Sequence, residues 1–296
     1  VKLALKIDVA TYRGCLVGVP RLVECLRKAQ ARATFCFNVG PDRSGRRLAS
    51  LLGRRLAGVP IRHGLATLFY GTLLPAPDIG RRCADILRGV RDAGFEVGLM
   101  GWDGARWQAR AGKAGPAWSE RQMRRAVARF ERIFGAAPKL HAAAGWQTNP
   151  HALRLTQRLG FAYASDTRGS HPFIPVWNAE IVLCPQIPTT LPTLDELLGG
   201  DGGDVDNVHE RVLSLTAMAA PSGHVYCAQA ELEGEGLLTV FTKLLEGWKK
   251  QGYELVSLGG LLESLDTSRL PRHEVVRRPL AGRSGTLTLQ GEEFLA

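Results

Sequence analysis

The chain has 296 residues, 45% of them hydrophobic and 22% charged, a balance that excludes a disordered or collagen-like polypeptide. Thirty-eight Lys and Arg against 28 Asp and Glu leave a formal charge of +10, which points to an anionic partner such as nucleic acid, phospholipid or a phosphorylated ligand without choosing among them. The six cysteines (Cys15, Cys25, Cys36, Cys83, Cys184 and Cys227) form no C-x-x-C pair. A chain of this length buries a core without staples, so they read as reduced thiols of a cytosolic protein.

Val1, Leu3, Leu5, Ile7 and Val9 alternate along a first strand, which leaves no room for a signal peptide at the start of this sequence. Pro20 opens a helix carrying Leu22, Val23, Leu26 and Ala29 on one face. Ala33–Val39 is a second, nearly continuous apolar strand. Arg82–Ala93 reads as a helix and Phe95–Leu99 as a buried strand. Ser119-Glu-Arg-Gln122 has the pattern of a capping box opening a helix through Phe134, stopped at Gly135. Strands follow at Phe161–Ala164 and Val225–Ala228, then a helix at Leu237–Gln251, a strand at Glu254–Ser257 and a helix at Leu258–Leu265. Strand–helix alternation predicts an α/β fold with parallel strands and covering helices. No linker divides it, so residues 1–296 read as one domain. In such folds chemistry sits at the carboxyl ends of strands, here Asp8, Met100–Asp103 and Gln229.

Arg43–Pro77 interrupts the alternation. Arg43, Arg46, Arg47, Arg54, Arg55 and Arg62 stand there with no acidic residue before Pro77. Leu48, Leu51, Leu52, Leu56 and Val59 lie at helical spacing, and an apolar run, Leu65–Leu74, follows. Two readings stand: a surface helix pair with a solvated basic face, or an amphipathic insert lying on an anionic membrane. No run of about 18 apolar residues is present to span a bilayer.

Seven motifs in order resemble the bacterial polysaccharide deacetylase family: Lys6-Ile-Asp-Val-Ala-Thr-Tyr-Arg-Gly14, Val39-Gly-Pro-Asp42, Gly98-Leu-Met-Gly-Trp-Asp103, Ala142-Ala-Ala-Gly-Trp146, Ser165-Asp-Thr-Arg-Gly169, Gln186-Ile-Pro-Thr-Thr-Leu-Pro192 and Val225-Tyr-Cys-Ala-Gln-Ala-Glu231. Leu280-Ala-Gly-Arg-Ser-Gly285 also fits. Within the family the resemblance is to enzymes that deformylate 4-formamido-arabinose carried on undecaprenyl phosphate, in lipid A modification. It implies an irregular (β/α) barrel, a divalent metal such as zinc, manganese or cobalt held by one Asp and two His, a second Asp as general base and a further His as general acid. It implies also a lipid-linked amino sugar as partner, and a cytoplasmic protein peripheral on the inner membrane.

Residue by residue, the base position is Asp8, whereas the metal-binding Asp falls on Ala10, the two His on Met100 and Gly104, and the acid His on Gln229. Ala and Gly carry no donor, a thioether is a soft ligand, and an amide gives up no proton near neutral pH. No metal cofactor is therefore expected in this chain. Around that centre Trp102, Trp107 and Trp146 would line a sugar cleft or pack in the core. Asp103 would pair with Asp8 for metal-free acid–base work or serve structurally. Asp166 and Arg168 would form a pair behind the site, meet a ligand phosphate or make a structural salt bridge. His141 would approach the mouth or be an ordinary hydrogen-bonded histidine. The functional expectations are a silent relative that still binds the lipid-linked sugar and, as the alternative, an active amide hydrolase. Nucleic-acid binding rests on charge alone, since no nucleic-acid module is recognisable, and no such partner is expected.

Overall fold

The computed structural model describes residues 1–47, 65–199, 204–283 and 285–295. Strand β1 (Lys2–Val9) is buried on both faces, Lys6 and Asp8 included, as a strand inside a parallel sheet must be. Next come β2 (Thr34–Asn38), β3 (Glu96–Gly101), β4 (Leu140–His141) and β5 (Tyr163–Ala164). After β6 (Ile174–Trp177) and β7 (Glu180–Ile181) the chain returns with β8 (His224–Gln229) and β9 (Glu254–Val256). The parallel sheet runs β5-β4-β3-β2-β1-β8 and curls into a half-barrel, with β9 against the start of β1. This agrees with the expected irregular α/β barrel.

The covering helices follow their start signals. Pro20 stands in the first turn of Val19–Lys28, and Gly135 ends Pro116–Phe134 in the left-handed conformation that glycine adopts without strain. One expectation fails. Ser119 caps nothing: the helix begins at Pro116, whose ring presets the first turn, and the Ser119 hydroxyl donates back to the Gly115 carbonyl at 3.2 Å.

A second sheet, β11-β10-β6-β7, is built from β6, β7, β10 (Arg272–Pro279) and β11 (Thr286–Glu293). The turn between β10 and β11 carries Arg283 into the site described below. The amphipathic helix expected at Leu48–Val59 lies outside the described residues. The described flank of that insert is a 3-10 turn at Leu65–Phe69 followed by Leu73, 79% exposed. Among the described residues no helix is long and apolar enough to cross a membrane.

Candidate functional site

The strand register sets the centre. Asp8 stands opposite Gln229 on β8 and Cys36 on β2, while Asn38 faces Gly101 across an irregularity in the β2–β3 ladder. Two residues below Asp8, Lys6 has no solvent exposure; its Nζ lies 3.4 Å from the Asp8 carboxylate and donates to the Ser165 carbonyl at 3.2 Å. Burial disfavours the Lys6 charge more than any single neighbour favours it, but Asp8 together with Cys227, Cys36 and Asp166 outweighs burial, so the ammonium is held charged well above the ordinary range. Burial pushes the Asp8 carboxyl up, with Lys6 opposing.

The positions that the resemblance assigns to metal ligands are now visible. Ala10 follows the end of β1, Met100 is buried in β3, and Gly104 is the first residue of the helix Gly104–Arg110. Asn38 lies against two of them, Ala10 and Gly104. Its amide donates to the Ala10 carbonyl at 3.2 Å, and a Cβ on Gly104 would lie 2.2 Å from its Nδ2. Nothing in the sequence singled out Asn38; the available signal was a polar residue at a strand end facing two residues without side-chain donors.

Asp103 is not a partner of Asp8. It caps the helix Gly104–Arg110 by accepting from the Arg106 amide at 3.0 Å, and its other oxygen binds Arg43 at 2.5 Å. Asp166 and Arg168 are likewise engaged separately, so the expected pair between them is corrected. Asp166 accepts from the Ala143 amide at 2.7 Å and lies 2.8 Å from His141 Nδ1, while Arg168 binds Glu196 at 2.6 Å. His141 is thus a buried, hydrogen-bonded histidine in the barrel wall. Trp107 stacks on Trp118 with centroids 5.4 Å apart and donates to the Gln147 carbonyl. Trp102 lies under the Arg125 guanidinium, 3.9 Å from its ring centre. Of the three tryptophans, Trp146 is the one beside Lys6. Its indole donates to Thr189, Lys6 lies 5.5 Å from its ring and Arg168 and Arg283 each 5.0 Å. Its φ of 51° puts a bulky residue in the left-handed region, a strain that the surrounding contacts must hold.

Beyond Gln229, Arg283 belongs to the Leu280–Gly285 segment that the resemblance includes, but its partners Asp195 and Glu196 carried no signal in the sequence. Gln229 donates to Asp195 at 2.9 Å, and Arg283 binds both Asp195 (2.9 Å) and Glu196 (2.8 Å). Thr193 and Glu196 cap the short helix Leu194–Leu198 reciprocally. Two buried acids also support the strand ends: Glu231 accepts from the Ala10 and Thr11 amides, and Glu233 from the Gln229 amide and Tyr226 hydroxyl. Burial pushes the Glu233 carboxyl from 4.5 up to about 8. A raised carboxyl keeps its proton in the folded state while the unfolded chain releases it. Unfolding free energy should therefore fall as pH rises from about 4.5 through about 8. Chemical denaturation across that window checks this, and Glu233→Gln should flatten the slope; an unchanged slope in the variant would assign the dependence elsewhere.

Over 98% of its length the chain is 36% identical to a Shewanella sediminis protein designated 4-deoxy-4-formamido-L-arabinose-phosphoundecaprenol deformylase ArnD, covering 94% of it. The chain belongs to the ArnD family. Its fold is also that of a Mycobacterium smegmatis protein designated a polysaccharide deacetylase, with a TM-score of 0.65 at 16% identity and 94% of each chain covered. The Bacillus anthracis protein BA3943, described as a CE4 family pseudoenzyme, shares it with a TM-score of 0.52 at 17% identity, over 92% of this chain and 69% of that one. No family model matches the chain.

At the positions that the resemblance assigns to metal ligands the donor set is poor. Asp8 offers one carboxylate, already tied to Lys6, Met100 a thioether, and Ala10 and Gly104 nothing beyond backbone. A divalent cation held by carboxylate and imidazole does not fit these residues.

Proposed function

We propose that the chain is a catalytically silent ArnD-family protein that holds an undecaprenyl-phosphate-linked amino sugar at the mouth of the half-barrel. The observation that carries this reading is Asn38: its amide packs against Gly104 and the Ala10 carbonyl, where family members need imidazole and carboxylate. Asp8 keeps the base position. Gln229, held by Asp195, presents hydrogen-bonding atoms but no transferable proton. The relatives' designation names the lipid-linked sugar, and the polar ends of β1 and β8 with Trp146, Asp166 and Arg168 behind them support retention of a binding site. The second reading, an active amide hydrolase, draws on the full-length identity to ArnD. It would require Asp8 and Gln229 to cleave an amide unaided.

Incubation with a formamido-arabinose lipid phosphate separates the two readings. Binding without formate release supports the silent form. Formate release from protein stripped of metal would sink it, and no binding at all would remove the substrate assignment.

Membrane association belongs to the same proposal, because an undecaprenyl chain stays in the bilayer and its handler must come to the surface. Exposed Leu73 and Leu74 beside the basic insert support that contact. The protein should sediment with anionic vesicles at low salt and less at high salt, since screening reaches within about 10 Å at 0.1 M. Replacing Arg46, Arg47, Arg54 and Arg55 by Gln should weaken sedimentation further, with the fold kept by circular dichroism. Wild-type protein left in solution with anionic lipid at low salt would end the membrane reading.

A further inference from the structure

Away from the half-barrel, the second sheet brings two imidazoles face to face. His171, in the loop leading to β6, and His273, on β10, place their Nε2 atoms 3.1 Å apart, with the rings edge to face. Their surroundings fix which atoms carry protons. His273 Nδ1 lies 2.9 Å from the Gly291 carbonyl, which can only accept, so that nitrogen holds the hydrogen and Nε2 presents a lone pair. Gln290 settles His171. Its Oε1 accepts from the Ser170 amide at 2.8 Å, which turns its NH2 group toward His171 Nε2 at 3.1 Å. That nitrogen must therefore accept, and the Ser170 hydroxyl lies 2.8 Å from the remaining Nδ1. The one lone pair of His171 Nε2 thus takes the Gln290 amide hydrogen, and the lone pair of a neutral His273 faces that nitrogen with no hydrogen between the two rings. Such a pair is electrostatically unfavourable until something positive enters.

From this geometry we infer that His171 and His273 form a site for a borderline divalent ion such as Zn2+, Ni2+ or Cu2+, which on entering takes the His171 Nε2 lone pair and turns the half-buried Gln290 amide aside. Two imidazole nitrogens about 2.0–2.1 Å from one ion stand about 3.0 Å apart at the right angle of a square-planar ion and about 3.3–3.4 Å apart at the tetrahedral angle of zinc, and the 3.1 Å found here lies between the two. Imidazole suits these ions. The carbonyl behind His273 and the hydroxyl behind His171 hold both rings in the manner of the outer partners that orient metal-binding histidines. The protein supplies two ligands and water the rest: among the described residues no group of three or more His, Cys, Asp or Glu could hold a metal. An ion there would tie the loop of residues 165–173 to the β10–β11 hairpin. Arg168 from that loop and Arg283 from that hairpin both reach Glu196, so the ion would brace the cationic flank of the half-barrel site from outside.

The test uses the full, untagged chain and Zn2+ alone, followed by calorimetry and thermal unfolding. One Zn2+ per chain should bind and raise Tm. His171→Ala and His273→Ala should each weaken binding by more than the roughly 10–100-fold attributed to loss of an outer partner. Stoichiometric binding that survives in both variants would overturn the assignment, and so would a wild type that binds no Zn2+. Because a variant that loses its fold would lose the ion as well, a second measurement stays with the wild type. One equivalent of Cu2+ should give an electron paramagnetic resonance spectrum with hyperfine coupling to two imidazole nitrogens. Coupling to one or none would refute the site. Neither measurement depends on whether the half-barrel site is silent, since His171 and His273 take no part in it.

Discussion

A chain carrying Ala10→Asp, Met100→His, Gly104→His and Gln229→His together with Asn38→Ala is expected to regain a divalent cation and to hydrolyse a formamido sugar. The scale of the expected change follows from what the cation would supply. A bound metal lowers the pKa of water from 15.7 to about 7, and about nine units at 1.36 kcal/mol each is on the order of 12 kcal/mol as an upper bound. Three ligands without Gln229→His should restore the metal alone, because position 229 lies on the proton-donating side. Asn38 makes the experiment specific to this chain. With Asn38 retained, the imidazole side chain introduced by Gly104→His would meet the amide at contact distances no real Cβ shows. Overpacking of this kind costs about 1–3 kcal/mol, which predicts cation affinity lower by about tenfold or more. Metal analysis and formate release read both effects. Should the fivefold variant fold yet bind no metal, the assignment of these four positions is wrong. If removing Asn38 changes nothing, the amide is an incidental neighbour.

The second large effect is expected at Lys6. Lys6→Met removes the fully buried cation from a pair whose carboxylate keeps slight exposure, and leaves Asp8 without that partner. Breaking such a pair from one side typically costs about 3–5 kcal/mol, whereas replacing both members by neutral groups of similar shape is often tolerated. Urea unfolding should show that loss in Lys6→Met, with most of it recovered in Lys6→Met combined with Asp8→Asn. Equal destabilisation of the single and double variants would mean that Lys6 contributes packing rather than charge.

The half-barrel strands were legible because burial on both faces leaves continuous apolar runs, as in Ala33–Val39. The second sheet was not. β10 reads Arg-His-Glu-Val-Val-Arg-Arg-Pro; His273 and Val275 are buried in alternation with exposed Arg272 and Glu274, but only one of the two buried residues is apolar, so the period does not show in the sequence. β4 is two residues, too short for any period to show, while β5 was legible from the apolar run Phe161–Ala164 that ends in it. At the site, the motif spacing located Asp8 and Gln229, which the register then placed opposite one another. It could not reveal Lys6 as the partner of Asp8, because two residues along a strand ordinarily share a face without being paired. Nor could it reveal Arg283 over Asp195, a contact between residues 88 apart that exists only once the C-terminal hairpin has folded back.

The position of β1 in the sheet has a consequence for how the protein is made. β1 pairs with β2 on one edge and β8 on the other, yet β8 leaves the ribosome roughly 200 residues after β1. At about 5–20 residues per second the growing chain carries one flank of its earliest strand unpaired for roughly ten to forty seconds. That flank belongs to a strand with five apolar residues in eight, and an open strand edge is a template for pairing with other chains. Yield in cells should therefore depend on whatever shields nascent polypeptide during that interval, more than the stability of the finished fold would suggest.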